Sequence, residues 1–307
     1  MGAAEWGMLL LLALVWGGTF FFQRIAVSEW PPLTVVLCRI LFGAMLLTLI
    51  VRLSGQQFPR DRVTWQNLAV MGVLNSALPF CLIVWGQTRI DSGLASIFYA
   101  TTSLFTVLLA PIFSSADRLT PARLLGVLLG LTGVAIMIGP DVLVESGGTL
   151  LAKLAILGGA LCYALSSIWG RRFRGLPLTV PAAGQMVVAA AIMIPIVAIV
   201  DRPWTLPAPS LRMVGAIAGL VLFSTMVGYL LYYALLSRAG SVNTSLVTLL
   251  VPPSALLLGA LFLHERIHPR DLIGLGCIIF GLVAIDGRPL RWLRRQFRTP
   301  GTLANTP

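Results

Sequence analysis

The segment Asp117-Arg118-Leu119-Thr120-Pro121 decides the fold, because it recurs 148 residues later as Glu265-Arg266-Ile267-His268-Pro269. The match continues without a gap through Leu124, Gly126, Gly133 and Gly139, which correspond to Leu272, Gly274, Gly281 and Gly287. Five apolar segments lie in each half of the chain. The sequence therefore predicts an internal duplication, with two copies of one five-segment unit.

The composition is that of a membrane protein. The 307 residues are 57% hydrophobic and only 11% charged, which is too little charge to cover a soluble globule of this size. Ten apolar runs fit the ~20 residues that a transmembrane helix needs. They lie near residues 6–23, 33–51, 67–86, 94–113, 123–140, 149–169, 180–200, 213–236, 242–263 and 271–286. The expected fold class is thus an all-α integral membrane protein with ten transmembrane helices.

An odd number of spans in each copy turns the second copy upside down in the bilayer. We therefore expect two inverted five-helix repeats, the first in residues 1–140 and the second in residues 149–287, followed by a basic cytoplasmic tail in residues 288–307. Inverted repeats of this kind are typical of secondary transporters, whose substrate site lies between the repeats near the membrane midplane.

The basic residues predict the orientation. With the N-terminus inside, fourteen of the 22 Lys and Arg residues lie in inner segments, seven lie in outer segments, and Arg39 lies within span two. Because cytoplasmic loops carry the excess of Lys and Arg, both termini are expected in the cytoplasm. The four cysteines fall singly in separate apolar runs, which favours buried thiols over a disulfide or a metal cluster.

Several spans carry polar and aromatic faces. Trp16, Thr19 and Gln23 in span one correspond to Tyr163, Ser166 and Gly170 in span six, and their spacing puts each trio on one helical face. Any single hydroxyl or amide could simply join two helices, a contact worth only ~0.6 kcal/mol on average. Six such spans in matched halves favour a shared, water-filled cavity.

Buried charge is nearly absent from the predicted spans. No acidic residue lies between Glu5 and Glu29, so span one lacks the carboxylate that a cation–proton antiporter needs. Arg39 is the basic residue that lies deepest within a predicted span. It could bind a substrate carboxylate, although an anchor that reaches towards the membrane interface is the favoured interpretation.

The segment His264-Glu265-Arg266-Ile267-His268 matches the zinc-protease pattern H-E-x-x-H. That mechanism needs both imidazoles one turn apart on a continuous helix. Pro269 follows directly, and a residue before proline is disfavoured from the helical region. The match is interpreted as a coincidence, and no metal or other cofactor is expected.

Ten spans arranged as five plus five, the repeated acid-Arg-x-x-Pro-x-x-Leu-x-Gly turn and Pro252 in span nine resemble the EamA-type drug/metabolite transporter superfamily. The resemblance covers residues 6 to 287, and within the superfamily the chain is most similar to bacterial exporters of aromatic and other amino acids. The resemblance implies a multi-pass exporter of the bacterial inner membrane. Its central cavity would be lined by spans one, three, four, six, eight and nine.

The side chains of such a cavity suit a neutral or zwitterionic solute with apolar bulk, because aromatic faces contact the bulk and amides or hydroxyls orient the polar end. The predicted site residues are Trp16, Phe20, Asn75, Tyr99, Thr102, Tyr163, Ser166, Tyr229, Tyr232, Asn243 and Thr248. The expected function is export of small metabolites, most simply amino acids, by alternating access rather than catalysis. The expected partners are that solute and membrane lipid, not nucleic acid, and the chain would be a monomer or weak homodimer.

Two rival functions remain open at this point. The same aromatic groups could bind lipophilic cations by cation–π attraction, which would make the chain a multidrug exporter. The His264–His268 segment could alternatively belong to a membrane metalloprotease.

Overall fold

The computed structural model describes residues 2–113, 121–138, 147–173, 175–232, 234–235, 238 and 247–286, and this part of the chain contains helices and no strand. The helices, in chain order, are α1 Ala3–Ala26, α2 Pro32–Leu53, α3 Arg62–Gly86, α4 Ser92–Ala100, α5 Thr102–Phe113, α6 Pro121–Ile138, α7 Gly147–Trp169, α8 Thr179–Val200, α9 Leu211–Tyr232, α10 Val247–Phe262 and α11 Pro269–Asp286. The helices α4 and α5 form one rod with a break at Thr101.

Each of the ten predicted apolar runs overlaps a helix or, for span four, the α4–α5 rod. Within the described residues, seven helical segments are long and apolar enough to cross a membrane, and Leu124–Gly133 and Leu250–Phe262 are shorter apolar segments. The all-helical membrane class is thus confirmed, while the count of ten spans stays a prediction. Large apolar side chains cover the outside of the bundle, as with Leu211 at 92% and Ile199 at 74% exposure. Such a surface suits contact with lipid.

Helices α2 and α8 pack side by side in opposite directions. At one end, Thr34 near the start of α2 donates hydrogen bonds from its amide and its hydroxyl to Asp201, which follows α8. At the other end, the Thr179 hydroxyl at the start of α8 donates to Gln56, which follows α2. The offset of the sequence repeat is 145 residues at these helices, where Pro32-Leu33-Thr34-Val35 recurs as Pro177-Leu178-Thr179-Val180. The two contacts join equivalent positions at this offset, Thr34 with Thr179 and Gln56 with Asp201.

Helices α6 and α11 form a second antiparallel pair, held together through glycines. A Cβ on Gly281, late in α11, would lie 2.4 Å from the carbonyl oxygen of Gly126, early in α6. A Cβ on Gly133, late in α6, would lie 2.6 Å from the carbonyl oxygen of Gly274, early in α11. The glycines that recur in the two halves of the sequence therefore pack against each other within one chain.

The remaining helices pack in a matched pattern. Helix α1 packs against α9 and α10, while α7, which holds the equivalent place in the second half, packs against α3 and the α4–α5 rod. The α1–α10 crossing is close: the Ser254 hydroxyl donates to the Ala13 carbonyl at 2.8 Å, and a Cβ on Gly17 would clash with Ser254. Exchanging each helix of one half for its counterpart leaves this packing pattern unchanged.

The segment with the zinc-protease pattern is not helical. Helix α10 ends at Phe262, residues 264–268 form an irregular connection, and His264 has a left-handed φ of 56°. Both histidines are exposed. The two imidazoles are therefore not one turn apart on a helix, which contradicts the geometry that the metalloprotease alternative requires.

Candidate functional site

A chain of aromatic rings crosses the interior between α1, α3, α4 and α7. Phe20 packs against Tyr99 with ring centroids 5.6 Å apart, Tyr99 meets Tyr163 edge-on at 5.4 Å, and Tyr163 approaches Phe80 at 6.5 Å. Edge-to-face pairs at such distances are favourable because the positive edge of one ring meets the negative face of the other. Tyr163 contacts two separate apolar cores and so lies where they meet.

A second aromatic pair lies beside this chain. Trp16 of α1 stacks on Tyr232 of α9 with centroids 5.6 Å apart and an angle of 29° between the rings. Tyr229, one turn earlier in α9, is close enough to Tyr99 and Tyr232 for their hydroxyls to interact electrostatically. Predicted residues from spans one, four, six and eight therefore meet in one region.

An amide network joins α3, α7, α8 and α9. The Asn75 amide nitrogen donates to the Gln185 side-chain oxygen at 3.2 Å, and the Ser166 hydroxyl donates to the Asn75 side-chain oxygen at 3.0 Å. The Tyr229 hydroxyl is hydrogen-bonded to the side chains of both Asn75 and Gln185. Gln185 is only 3% exposed and is not among the predicted site residues.

Local backbone structure positions two members of this network. Asn75 lies in a π-helical segment, Val73–Ala77, within α3. Pro79 follows, and because proline has no amide hydrogen, the carbonyl of Asn75 has no α-helical donor. Such π segments occur frequently at functional sites. A second one, Leu220–Val227 in α9, lies just before Tyr229.

Arg39 of α2 is buried beside the aromatic chain. Its side chain is 9% exposed, its guanidinium carbon lies 4.1 Å from the centre of the Phe80 ring, and its Nε has no hydrogen-bond partner. Its electrostatic neighbours are the hydroxyls of Tyr163, Tyr229 and Tyr99. The guanidinium thus points into the bundle, so the interpretation as an interface anchor is wrong.

The tyrosines have the exposure expected of cavity walls. Tyr99, Tyr163 and Tyr229 pack among the interior residues described above, yet each retains a partly exposed surface. Partial exposure of this kind inside a helical bundle is what residues that line a cavity would show. Arg39 and the amide network border the same region.

Some polar side chains of the α4–α5 rod form hydrogen bonds within that rod. The Thr102 hydroxyl donates to the Tyr99 carbonyl at 2.7 Å, and Ser96 and Thr106 likewise bond to carbonyls of their own helical rod. These bonds leave the hydroxyl oxygens as acceptors only. Two further predicted site residues, Asn243 and the side chain of Thr248, lie outside the described residues.

A charged cluster lies at one end of the bundle, where α4 meets the α10–α11 connection. Glu265 accepts hydrogen bonds from the amide and hydroxyl of Ser92, at 2.9 and 2.7 Å, and from the amide of Gly93 at 3.2 Å. A carboxylate at a helix N-terminus is favourable because the first amides of a helix lack partners. The acid of the repeated turn thus caps α4, which ties the two halves together here.

Asp91 borders this cluster, and its nearest cation is Arg24, at 3.8 Å. Burial raises the pKa of the Asp91 carboxyl, and the nearby Glu265 charge raises the pKa further, while Arg24 acts in the opposite direction. Lys153 and Asp271, both buried, line a pocket at this end of the bundle together with Asp91 and Glu265.

The profile of the EamA-like transporter family matches residues 5–139 and, a second time, residues 150–285. The chain belongs to the EamA-like transporter family. This assignment agrees with the resemblance seen in the sequence, and the double match follows the two halves of the chain.

Three relatives of this EamA-like chain cover most of its length. The inner membrane transporter YedA of Escherichia coli K12 is 28% identical, over 91% of this chain and 89% of YedA. A probable amino-acid metabolite efflux pump of the same organism is 27% identical, over 93% and 95%. A probable terminal-alkyne amino-acid exporter of Streptantibioticus cattleyicolor is 25% identical, over 98% and 99%.

A solved crystal structure has the same fold. It superposes with a TM-score of 0.65 at 18% identity, covering 93% of this chain and 98% of the other. The family match and the named relatives identify the chain as a multi-pass membrane transporter, and the solved structure supports the fold alone.

Proposed function

We propose that this EamA-like transporter exports small neutral or zwitterionic metabolites, and specifically amino acids including aromatic ones, across the bacterial inner membrane. The observation that carries the proposal is the convergence of Trp16, Tyr99, Tyr163, Tyr229 and Tyr232 with an amide network in one interior region. Aromatic faces suit the apolar part of such a solute, and the amides and hydroxyls suit its polar end. Transport is proposed to proceed without catalysis or a cofactor.

The proposed mechanism is alternating access by two inverted repeats, residues 1–140 and 149–287, in ten spans. The antiparallel pairs α2–α8 and α6–α11 support this arrangement, since each pair joins equivalent helices of the two halves. The two family matches, over residues 5–139 and 150–285, support it as well. In such folds, one repeat rocks against the other around a site near the midplane.

The amino-acid part of the proposal draws on the relatives. Two of them, at 27% and 25% identity, are named as an amino-acid metabolite efflux pump and an amino-acid exporter. The low count of charged groups in the interior agrees with such solutes, because nucleotides or organic phosphates would need more buried basic residues.

The test is efflux from proteoliposomes loaded with radiolabelled phenylalanine. The Tyr99→Ala/Tyr163→Ala double variant should lose most of its efflux, because the aromatic wall is removed. The matched control replaces two aromatic residues on the outside of the bundle, Phe42→Ala/Phe280→Ala, whose side chains are 46% and 70% exposed. Equal efflux from the Tyr99/Tyr163 variant and the wild type would refute the site. Absence of efflux from the wild type with every amino acid tried would refute the proposed substrate class.

The rival function of lipophilic-cation export is disfavoured by Arg39. This buried guanidinium has no carboxylate of the described residues within ion-pair distance, so a cationic solute in the same region would meet like charge. Competition of ethidium against phenylalanine efflux would test this rival.

A further inference from the structure

Arg39 is a buried cation with incomplete hydrogen bonding. Among the described residues, no hydrogen bond to its Nε and no ion pair to its guanidinium is present. A charged side chain inside a membrane protein is costly, by about 2.5–3.5 kcal/mol on insertion scales, and such residues usually pair with one another or with backbone carbonyls. The contact with the Phe80 ring offsets part of this cost but leaves the planar N–H donors of the guanidinium without an anion.

Other arginines of the chain are satisfied differently. Arg24 pairs with Asp91 and also donates to the Gln87 carbonyl. Arg172 lies over the Trp169 ring at 3.6 Å, as Arg39 lies over Phe80, but Arg172 is exposed and therefore hydrated. Arg39 thus combines an aromatic contact with burial and without a counter-ion. The internal duplication does not account for an arginine at this position, because the equivalent residue of the second half is Gly184.

The region around Arg39 can hold an anion but offers little to a cation. The guanidinium interacts electrostatically with the hydroxyls of Tyr163, Tyr229 and Tyr99, and these three tyrosines are partly exposed within the bundle. The described Asp and Glu side chains lie at helix ends or in connections, as with Asp61 before α3 and Asp201 after α8. An ammonium group in this space would find only ring faces and amide or hydroxyl oxygens, and it would be repelled by Arg39.

We propose that Arg39 binds the carboxylate of the transported solute, and that the α-amino group is not required for recognition. This inference rests on the proposed function and defines the substrates by their carboxylate: monocarboxylates with an apolar or aromatic body, with or without an α-amino group. Arginine suits this role because its fork of N–H donors matches a carboxylate in a bidentate arrangement. The solute would supply the counter-ion that the protein lacks, while the rings of Tyr99, Tyr163 and Trp16 would contact its body.

The first test uses the wild-type chain in proteoliposomes and three compounds that share one aromatic body. Unlabelled 3-phenylpropionate, which has only the carboxylate, should inhibit labelled phenylalanine transport at least as well as unlabelled phenylalanine does. The amine 2-phenylethylamine should inhibit about tenfold less or not at all, since a charged hydrogen bond is worth roughly tenfold or more in affinity. Equal inhibition by the amine and the carboxylate would overturn the proposal.

The second test uses Arg39→Gln and Arg39→Lys in the same assay, with Arg172→Gln as the matched control. Arg39→Gln should reduce the apparent affinity for both carboxylates by about tenfold or more. Arg39→Lys should retain part of the affinity for the carboxylates, because the positive charge remains while the bidentate fork of N–H donors is lost. Arg172→Gln should transport as the wild type does. An Arg39→Gln protein that folds and transports phenylalanine with unchanged affinity would overturn the proposal.

Different results would refute the carboxylate site at Arg39 and the proposed export of amino acids. If the wild type transports phenylalanine but prefers the amine to 3-phenylpropionate, amino-acid export stands and the carboxylate site is refuted. If the wild type transports neither phenylalanine nor 3-phenylpropionate, the proposed function itself is refuted. The inhibition series on the wild type decides the matter even if the Arg39 variants do not fold.

Discussion

At the scale of single residues, the interior combines two kinds of contact. The rings of Phe20, Tyr99 and Tyr163 form a continuous apolar wall, whereas Asn75 and Gln185 bring amides from α3 and α8 to the same place. Hydrogen bonds inside membrane proteins average only ~0.6 kcal/mol. Orientation of the partners is therefore the more important consequence of this network, because each amide is held by at least two neighbours.

Gln185→Leu should reduce transport while lowering stability only modestly. The substitution keeps the size of the side chain but removes the partner of Asn75 and Tyr229, which costs about 0.6–1.7 kcal/mol. Efflux assays should show a lower rate, and thermal unfolding in detergent should show a small decrease in Tm. The control is Gln57→Leu, at an exposed position. Transport by Gln185→Leu at the wild-type rate would rule out a role for the network in the site.

The position of Asp91 in the charged cluster predicts that the stability of the folded chain depends on pH. Its carboxyl pKa is raised by burial and by the Glu265 charge, so the folded chain binds this proton more tightly than the unfolded chain does. The Asp91 contribution to stability is therefore present below the ordinary pKa of 3.8 and is lost as the pH rises above that value through the raised pKa. As the pH rises from 3.8 through the raised pKa, Tm should therefore fall less for Asp91→Asn than for the wild type. An identical pH profile of Tm for both proteins would contradict the prediction.

The sequence predicts which residues lie on polar helical faces but not which of them contact one another. Spacing puts Trp16, Tyr99 and Tyr163 on polar helical faces, and the structure brings these faces together. Periodicity does not reveal which helix lies opposite, so the pairing of Asn75 with Gln185 could not be read from the sequence. The same limit explains the wrong interpretation of Arg39: its depth along α2 is visible in the sequence, but the Phe80 ring and the tyrosines around it are not.

At the scale of helices, the glycine faces of α6 and α11 lead to a signed prediction. Gly281→Ala should lower Tm, because its Cβ would lie 2.4 Å from a backbone oxygen of α6 and such overpacking costs about 1–3 kcal/mol. Gly276→Ala on the same helix has no atom within 4 Å of the added Cβ. It should leave Tm unchanged or raise it, since alanine favours helix over glycine by about 0.5–1 kcal/mol. Equal effects of the two substitutions would refute this packing.

The π segment of α3 predicts a separation of stability from activity. Pro79→Ala restores an amide donor for the Asn75 carbonyl, which favours regular α-helix and would turn Asn75 away from Gln185. The variant should be as stable as the wild type or more so, yet export more slowly. Pro195→Ala is the control, because Pro195 lies inside α8 in a regular helical stretch. Faster or unchanged export by Pro79→Ala would contradict the argument. The hydropathy of the sequence locates this helix, but hydropathy carries no signal for the π segment within it.

At the scale of the whole molecule, the sequence repeat is more informative than any single motif. The same offset of 145 residues relates Thr34 to Thr179 and Gln56 to Asp201, and these residues form equivalent contacts at opposite ends of the α2–α8 pair. Such contacts require antiparallel helices, because each N-terminus meets the other C-terminus. The repeat also explains why the match to H-E-x-x-H is misleading. The repeated turn retains the acid but not the histidines, and in the second half that acid is Glu265, which caps α4.

Inversion predicts that equivalent positions of the two halves face opposite sides of the membrane. Gln57 and Arg202 differ by 145 residues and are both exposed just beyond the ends of α2 and α8. In a variant without its four native cysteines, Gln57→Cys should react with an impermeant maleimide only from the cytoplasmic side, and Arg202→Cys only from the outside. Intact cells and inside-out vesicles give the two labelling directions. Labelling of both positions from one side would mean that α2 and α8 do not cross the bilayer in opposite directions, and alternating access by inverted repeats would then be excluded.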